Sequence, residues 1–450
     1  MTDKRFSSVP RSRLSRFAQL GSLAGKVAGN VIAEGSKHWI RGKNPGLQQL
    51  MISPANARDL ADKLSKMRGA AMKVGQMISM DTGGIISKEL ATLLERLRAD
   101  ADRMPPSQLM AVLEKEWGSG WDEKFSRFSF EPCAAASIGQ VHKAVLASGE
   151  PVAVKVQYPG VRESIDSDIR NVQGLLRMSG LLPKDLDLEP IIEEARIQLH
   201  READYRLEGE NLQQYGELVN ENLGDAGFVV PSYLPSHSTD SILCMSWQKG
   251  VPLEEALRTH PQWSDQIMAK LFELFFSELF VFKAVQTDPN LANYLLDTAS
   301  QSIVLLDLGA LRFYDKEFVV RYRKALIAAR DQNREQLNQA LQELGFFASR
   351  KQSANQDVIL DIFILAAEPL RFDGRYHFGQ SDLAQRIHQR GLEVSSNPDA
   401  WHTPPPEVLF LHRKMAGLYL MAARLNAQVD TATLFESSVR CEFVPPCLSV

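Results

Sequence analysis

Gln286-Thr287-Asp288-Pro289-Asn290-Leu291-Ala292-Asn293, followed by Leu305-Leu306-Asp307-Leu308-Gly309, decides how this chain folds and what chemistry it can carry. The stretches spell Asp-x4-Asn and then Asp-x-Gly. Asp288 is suited to orient or deprotonate an acceptor hydroxyl, and Asn293 and Asp307 supply hard oxygen ligands for Mg²⁺ bridging phosphates. That division of labour is the chemistry of phosphoryl transfer.

Upstream lie the parts such chemistry needs. Ala134-Ala135-Ala136-Ser137-Ile138-Gly139-Gln140 sits between two predicted strands, and its small residues let backbone N–H groups approach phosphates, although an alanine run also serves plain packing. The strand VAVKVQ offers Lys155 to the α/β-phosphates of ATP, the alternative being a lysine on an exposed strand face. Such a lysine needs an acid to fix it. The segment HREADYRLEGENL, read as one helix, provides Glu202, Asp204 and Glu208, with Asp204 and Glu208 on one face at i,i+4. Glu202 could instead form a surface pair with Arg206, worth only ~0.3–0.5 kcal/mol.

These elements follow the order and spacing of a protein kinase. The departures are Gln286-Thr287 in place of His-Arg, Leu308 in place of the Phe of Asp-Phe-Gly, and alanines in place of glycines before Gly139. The chain after Gly309 runs almost directly into a helix near Asp315, without a long activation segment or an Ala-Pro-Glu motif, which leaves little platform for a protein substrate.

At 450 residues the chain suits two or three domains, and 44% apolar with 24% charged residues is ordinary globular text. A net charge of −4 gives no reason to expect nucleic acid as a partner. Cys133, Cys244, Cys441 and Cys447 form no zinc or disulfide framework, which fits a reducing cytosol. No uncharged apolar run reaches the ~18 residues of a membrane span. LFELFFSELFVF (271–282), interrupted by Glu273 and Glu278, reads as a core helix. There is no secretory signal.

The first 43 residues carry nine Lys/Arg against two acids, and Leu14–Val31 has helical spacing with Gly21, Gly25 and Gly29 every fourth residue. This end reads either as a basic tail or as an amphipathic helix for an anionic membrane surface or close helix packing. Residues 56–99 read as helix, with Lys73 and Gln76 on one face, and a short helix follows at 107–117. A small antiparallel sheet is expected from about 127, then helix over 161–222, strands at 228–234 and 241–247, and a hinge at Lys249–Pro252. Helix dominates the remainder, apart from NYLLD and SIVLLDLG flanking a turn at 298–302. The fold class is therefore α+β, a small antiparallel-sheet N-lobe and a helical C-lobe in the two-lobed protein-kinase-like order.

Over nearly the whole chain, from about Val9 to Glu436, the sequence resembles the UbiB/AarF/ADCK family of atypical kinase-like proteins, in particular its coenzyme-Q-associated branch. The carriers are SVPRSRLSR (8–16), Lys73-Val74-Gly75-Gln76 as the family's K-x-G-Q, AAASIGQVH (134–142), VAVKVQYPGV (152–161), the E-x-D of Glu202 and Asp204, QTDPN, LLDLGA and LHRKMAGLYL (411–420). Leu291 and Ala292 depart from the bulkier Trp-Ser of this loop. The resemblance implies that Lys73 and Gln76 lie on an N-terminal helical extension packed over the active site, that Lys73 meets Glu202 and Asp204, and that Glu208 partners Lys155.

It also implies binding of ATP with Mg²⁺ in a cleft closed to protein substrates. The phosphates would lie on Ala134–Gly139 and Lys155, with Asp288, Lys155 and Glu208 catalytic and Asn293 and Asp307 on the metal. The expected organisation is a basic amphipathic segment (1–45), a helical extension with K-x-G-Q (46–125), an N-lobe (126–249) and a helical C-lobe (250–450). The implied activity is that of an atypical kinase or ATPase supporting ubiquinone synthesis, acting on a small-molecule or lipid substrate. Its implied place is cytoplasmic, peripheral on the inner face of a membrane, in association with quinone-biosynthesis enzymes and with a homodimer through the Gly-x3-Gly face as one arrangement. The alternative is a nucleotide-switched lipid-binding module or a pseudokinase scaffold without phosphoryl transfer.

Overall fold

The computed structural model describes residues 69–70, 73–75, 103–179, 189–224, 226–347, 355–395 and 405–440. The basic segment 1–45, Gln76, Cys441 and Cys447 lie outside the described residues. The chain divides into two compact units: residues up to Gln213 with Ser232–Trp247, and Gln214–Pro231 with the chain from Gln248 onward.

In the first unit, α1 (Pro106–Trp117) starts on a proline, whose missing N–H costs nothing at a helix N-terminus. It buries Leu109, Val112 and Leu113. The strands β1 (Phe125–Phe128), β2 (Ala134–Ala135), β3 (Gly139–Leu146) and β4 (Pro151–Gln157) follow. Val152, Val154 and Val156 of β4 face a core with Leu109, Leu113, Trp121 and Phe125. On the opposite face of β4 Lys155 and Gln157 are also buried, beneath helices.

Those helices are α2 (Val161–Ser179), α3 (Glu189–Glu202) and α4 (Tyr205–Leu223). HREADYRLEGENL is thus two helices, contrary to expectation. α3 ends at Glu202, and Asp204 accepts from Leu207 N at 3.1 Å, because an aspartate satisfies the unpaired donors of a first turn better than it propagates a helix. The strand expected at 228–234 shortens to β5 (Phe228–Val229), which pairs parallel with Ile303–Val304 of the second unit. That pairing draws residues 214–231 out of the N-lobe to which 126–249 had assigned them. β6 (Ile242–Ser246) returns to the first unit, where the antiparallel order is β1-β3-β4-β6 with β2 beside β3.

The second unit opens with β7 (Val251–Pro252), so the expected hinge at 249–252 is partly strand and pairs with Leu295–Leu296. Helices α5 (Leu253–Thr259) and α6 (Ser264–Ser277) follow. α6 is the expected core helix, burying Leu271, Phe272, Phe275 and Phe276, but Glu278–Phe282 forms a π-turn that ends at Lys283 with φ 55°. This bend delivers the chain into β8 (Ala284–Gln286). β9 (Tyr294–Asp297) and β10 (Ser302–Leu305) form the hairpin expected around 298–302, and β11 (Leu311–Phe313) pairs back on β8. The remainder is mostly helical: α7 (Lys316–Arg330), α8 (Arg334–Glu343), α9 (Gln356–Ala366), α10 (Leu383–Ser395), α11 (Pro406–Arg424) and α12 (Thr431–Arg440).

Candidate active site

The first unit holds the small-residue loop 134–140 and Lys155. Ala134 and Ala135 are strand residues, paired with Val141 and Gln140, so the loop proper is the turn closed by Ala136 N–H on Gly139 O at 2.9 Å. Ala134 and Ala135 are exposed and Ala136 is half-buried, so packing does not account for the first two alanines. Gly139 is a glycine for steric reasons: a Cβ there would lie 2.4 Å from Val156 O and 2.9 Å from the Tyr205 hydroxyl. Ile138 is buried and its carbonyl accepts from Tyr158 N at 2.9 Å.

Residues 69–70 and 73–75 are helical and press on this turn. A Cβ on Gly69 would stand 2.7 Å from Ile138 Cγ2 and 3.0 Å from Ser137 O. Lys73, buried with Val74, forms an ion pair with Glu202, and the same carboxylate accepts from Ser137 Oγ at 2.8 Å. One acid thus ties this turn to the helical residues 73–75. Asp204 is occupied with Leu207 N and lies 3.9 Å from Arg162, while Arg206 pairs with Asp240 rather than with Glu202.

Lys155 donates to both oxygens of Glu208, at 2.8 and 2.9 Å, and its ammonium stands 5.0 Å from the centre of the Tyr205 ring. The two side chains are 10% and 1% exposed. Of the three acids the sequence offered, only one sits one turn into α4 beneath β4, and the helix break at Ala203–Asp204 is what selects it. Gln157 Nε2, two residues along the same strand face, donates to Ala203 O at 2.8 Å and anchors that break.

In the second unit, Asp288, Asn293 and Asp307 are half-buried. Asn293 Nδ2 donates to Asp288 O at 3.4 Å, Leu306 N donates to Asn293 O at 2.9 Å, and Asp307 Oδ1 accepts from Gly309 N at 2.9 Å. With its NH₂ turned toward Asp288, Asn293 has a carbonyl oxygen to offer a cation. One amide oxygen and one carboxylate suit Mg²⁺ that arrives with phosphates. Thr287, standing at the arginine position of a kinase loop, donates both its N–H (3.1 Å) and its hydroxyl (2.8 Å) to Ala310 O. It thereby pins the short segment between Asp307 and β11. Leu308 is buried core.

Beside the Asp288 loop lies a buried charged pair that the sequence motifs do not announce. Glu278 and Lys414, 0% and 2% exposed, lie with their charged atoms 3.9 Å apart. Glu278 Oε1 accepts from Tyr215 OH (2.7 Å) and from Gln286 N (3.1 Å), and Lys414 Nζ donates to Tyr294 OH (3.2 Å) and Gln286 Oε1 (3.5 Å). Burial raises the Glu278 carboxyl, with Lys414, Tyr215 and the Gln286 N–H opposing it. Burial opposes the Lys414 charge, yet Tyr294, Glu278 and Asp288 outweigh it and raise Lys414. The available signal was a charge among apolar neighbours, Glu278 within Ser277–Phe282 and Lys414 between Leu411 and Leu418, since a buried charge requires a partner.

The family described as ABC1 atypical kinase-like domain matches residues 96–341. The chain belongs to this family. Among ABC1 proteins it is 38% identical over 433 residues to Atypical kinase COQ8, mitochondrial, of Saccharomyces cerevisiae, covering 96% of this chain and 85% of that one. It is 39% identical over 438 residues to Atypical kinase COQ8B, mitochondrial, of Rattus norvegicus, covering 96% and 82%. The solved structure of Rv3197 in complex with erythromycin, from Mycobacterium tuberculosis, superposes with TM-score 0.56 at 26% identity, covering 86% of this chain and 96% of that one. The α+β, kinase-like fold of the ABC1 family is therefore the fold of this chain. No helix among the described residues is long and apolar enough to cross a membrane.

Proposed function

We propose that this protein binds Mg²⁺-ATP and uses it, by hydrolysis or by phosphoryl transfer to a small or lipid substrate, in support of quinone-lipid synthesis at a membrane surface. The observation that carries the proposal is the two-oxygen grip of Glu208 on Lys155, at 2.8 and 2.9 Å. A lysine held in this way presents a fixed positive charge to α/β-phosphates. Ala136 N–H is spent closing its turn on Gly139 O, so the Ser137 and Ile138 N–H groups are the ones that would meet the same anion. Bound Mg²⁺ supplies charge neutralisation to the phosphates, and Asn293 and Asp307 would hold it. Asp288 orients or deprotonates the attacking hydroxyl. Pinned by Thr287, the chain passes from Asp307 through β11 to α7, which begins at Lys316, and so offers little bed for a peptide.

The test is Mg²⁺-dependent ATP turnover by the purified chain, with and without anionic liposomes and phenolic quinone-precursor mimics. Asp288→Asn is expected to reduce turnover by at least roughly 100-fold while retaining nucleotide binding. Equal turnover in that variant would overturn the proposal.

The sharing of Glu202 between Ser137 and Lys73 favours a second reading, in which nucleotide alters lipid affinity without phosphoryl transfer. It requires liposome binding to change on addition of ATP. Identical binding with and without nucleotide rules it out.

A further inference from the structure

We infer that Gln286 is a positioning residue that couples the loop of Asp288 to the loop of Asp307, and that Lys414 reinforces the direction in which its amide points. This inference rests on the proposed roles of Asp288 as base and Asp307 as metal ligand.

The side chain of Gln286 bridges two segments. Its Oε1 accepts from Asp288 N at 3.1 Å, and its Nε2 donates to Asp307 O at 3.3 Å. An amide is asymmetric, with acceptor on one side and donor on the other, and a flip would set N–H against N–H and C=O against C=O. Lys414 reinforces the direction those two contacts set. An ammonium only donates, and Lys414 Nζ stands 3.5 Å from Gln286 Oε1 from a position 128 residues away in sequence. Glu278 holds the same residue from behind, accepting from Gln286 N at 3.1 Å, and Tyr294, the neighbour of Asn293, completes the ring around Lys414 at 3.2 Å.

The position requires an acceptor and a donor in one rigid plane, with the direction set by Asp288 N–H and Asp307 C=O and reinforced by a buried cation. A residue acting in this way changes the geometry of the base and the metal ligand relative to each other. It leaves the nucleotide-gripping lysine in the other unit untouched.

The test compares the full-length protein with Gln286→Met, with Lys414→Met in a Glu278→Gln background so that no lone buried charge remains, and with all three changes together. The readouts are kcat for Mg²⁺-ATP turnover, Kd for a fluorescent ATP analogue, and hydrogen exchange of the Asp288 amide. Each of the first two proteins is expected to lose roughly 10- to 100-fold in kcat, the range for displaced catalytic groups. Nucleotide Kd stays within about threefold, and the combined protein is no worse than either, as for residues acting through one contact. Exchange at Asp288 rises by at least roughly tenfold in both, while α6 and α7 keep their protection. Lys414→Arg, which keeps a donor, recovers part of kcat.

Additive losses in the combined protein, or unchanged exchange at Asp288 in Lys414→Met/Glu278→Gln, would overturn the inference. If the unsubstituted protein shows no turnover, the proposed enzymatic function falls, and the exchange measurement alone decides whether the Gln286 bridge exists.

Discussion

Pro289 lies against Gly417 so closely that a Cβ on the glycine would stand 2.3 Å from both Cβ and Cγ of the proline. Neither partner can yield easily, because the proline ring is rigid and Gly417 is in the middle of α11. Gly417→Ala is therefore expected to push the loop that carries Asp288 outward. Turnover should fall by roughly 10- to 100-fold. Steady-state kinetics with a parallel nucleotide-binding assay check it, since ATP affinity in the first unit should be nearly unchanged.

Lys155 and Glu208 form a buried pair in which each partner satisfies the other. Lys155→Met leaves a carboxylate that is 1% exposed without its cation and is expected to cost about 3–5 kcal/mol of stability as well as nucleotide binding. Lys155→Met/Glu208→Met should recover most of the stability and none of the binding. Urea denaturation with and without Mg²⁺-ATP separates the two effects.

Gly139→Ala places a methyl 2.4 Å from Val156 O. The strands β3 and β4 must part at the position where the phosphate turn begins, at a cost of about 1–3 kcal/mol. Thermal unfolding measures that cost. A fall in nucleotide affinity beyond what the lost stability explains would locate the strain in the turn.

His142 stands between Gln140 Nε2 (2.9 Å, to its Nε2) and Ser129 O (2.7 Å, to its Nδ1), so the neutral ring carries its proton on Nδ1. Burial lowers its pKa from 6.5 to about 4, against the opposing pull of the Ser129 carbonyl. A folded-state pKa below the unfolded value means that the unfolded chain binds the extra proton. The stabilisation is complete above pH 6.5 and is lost as pH falls toward about 4, up to roughly 3 kcal/mol. Denaturation midpoints of the first unit between pH 8 and pH 4 should show the decline, and His142→Gln should flatten it.

The strand of Lys155 and the hairpin that joins the loops of Asp288 and Asp307 were legible because each is a short local pattern. The core helix at 271–282 was legible from its apolar text. The choice among Glu202, Asp204 and Glu208 was legible from the family resemblance, which named Glu208, and not from periodicity, because it hangs on Asp204 capping α4 rather than continuing α3. β5 was misassigned for a related reason. Phe228 and Val229 read as strand from composition, but their pairing partner, β10, lies far along the chain. The contact between Glu278 and Lys414 is equally remote in sequence, and its only local trace was a charge where the helical face is otherwise apolar.

Glu278 and Lys414 also give this protein a characteristic way to be spoiled. Buried ion pairs are commonly neutral or destabilising relative to apolar groups of similar volume, by about 1–4 kcal/mol. Glu278→Leu with Lys414→Met is therefore the kind of change that selection for heat resistance or high expression would find. Such a hardened variant would fold, melt later and turn over slowly, with every proposed nucleotide and metal contact intact. Laboratory evolution of this chain for robustness alone would thus yield silent proteins whose lesions lie at 278 and 414, away from Asp288 and Asp307.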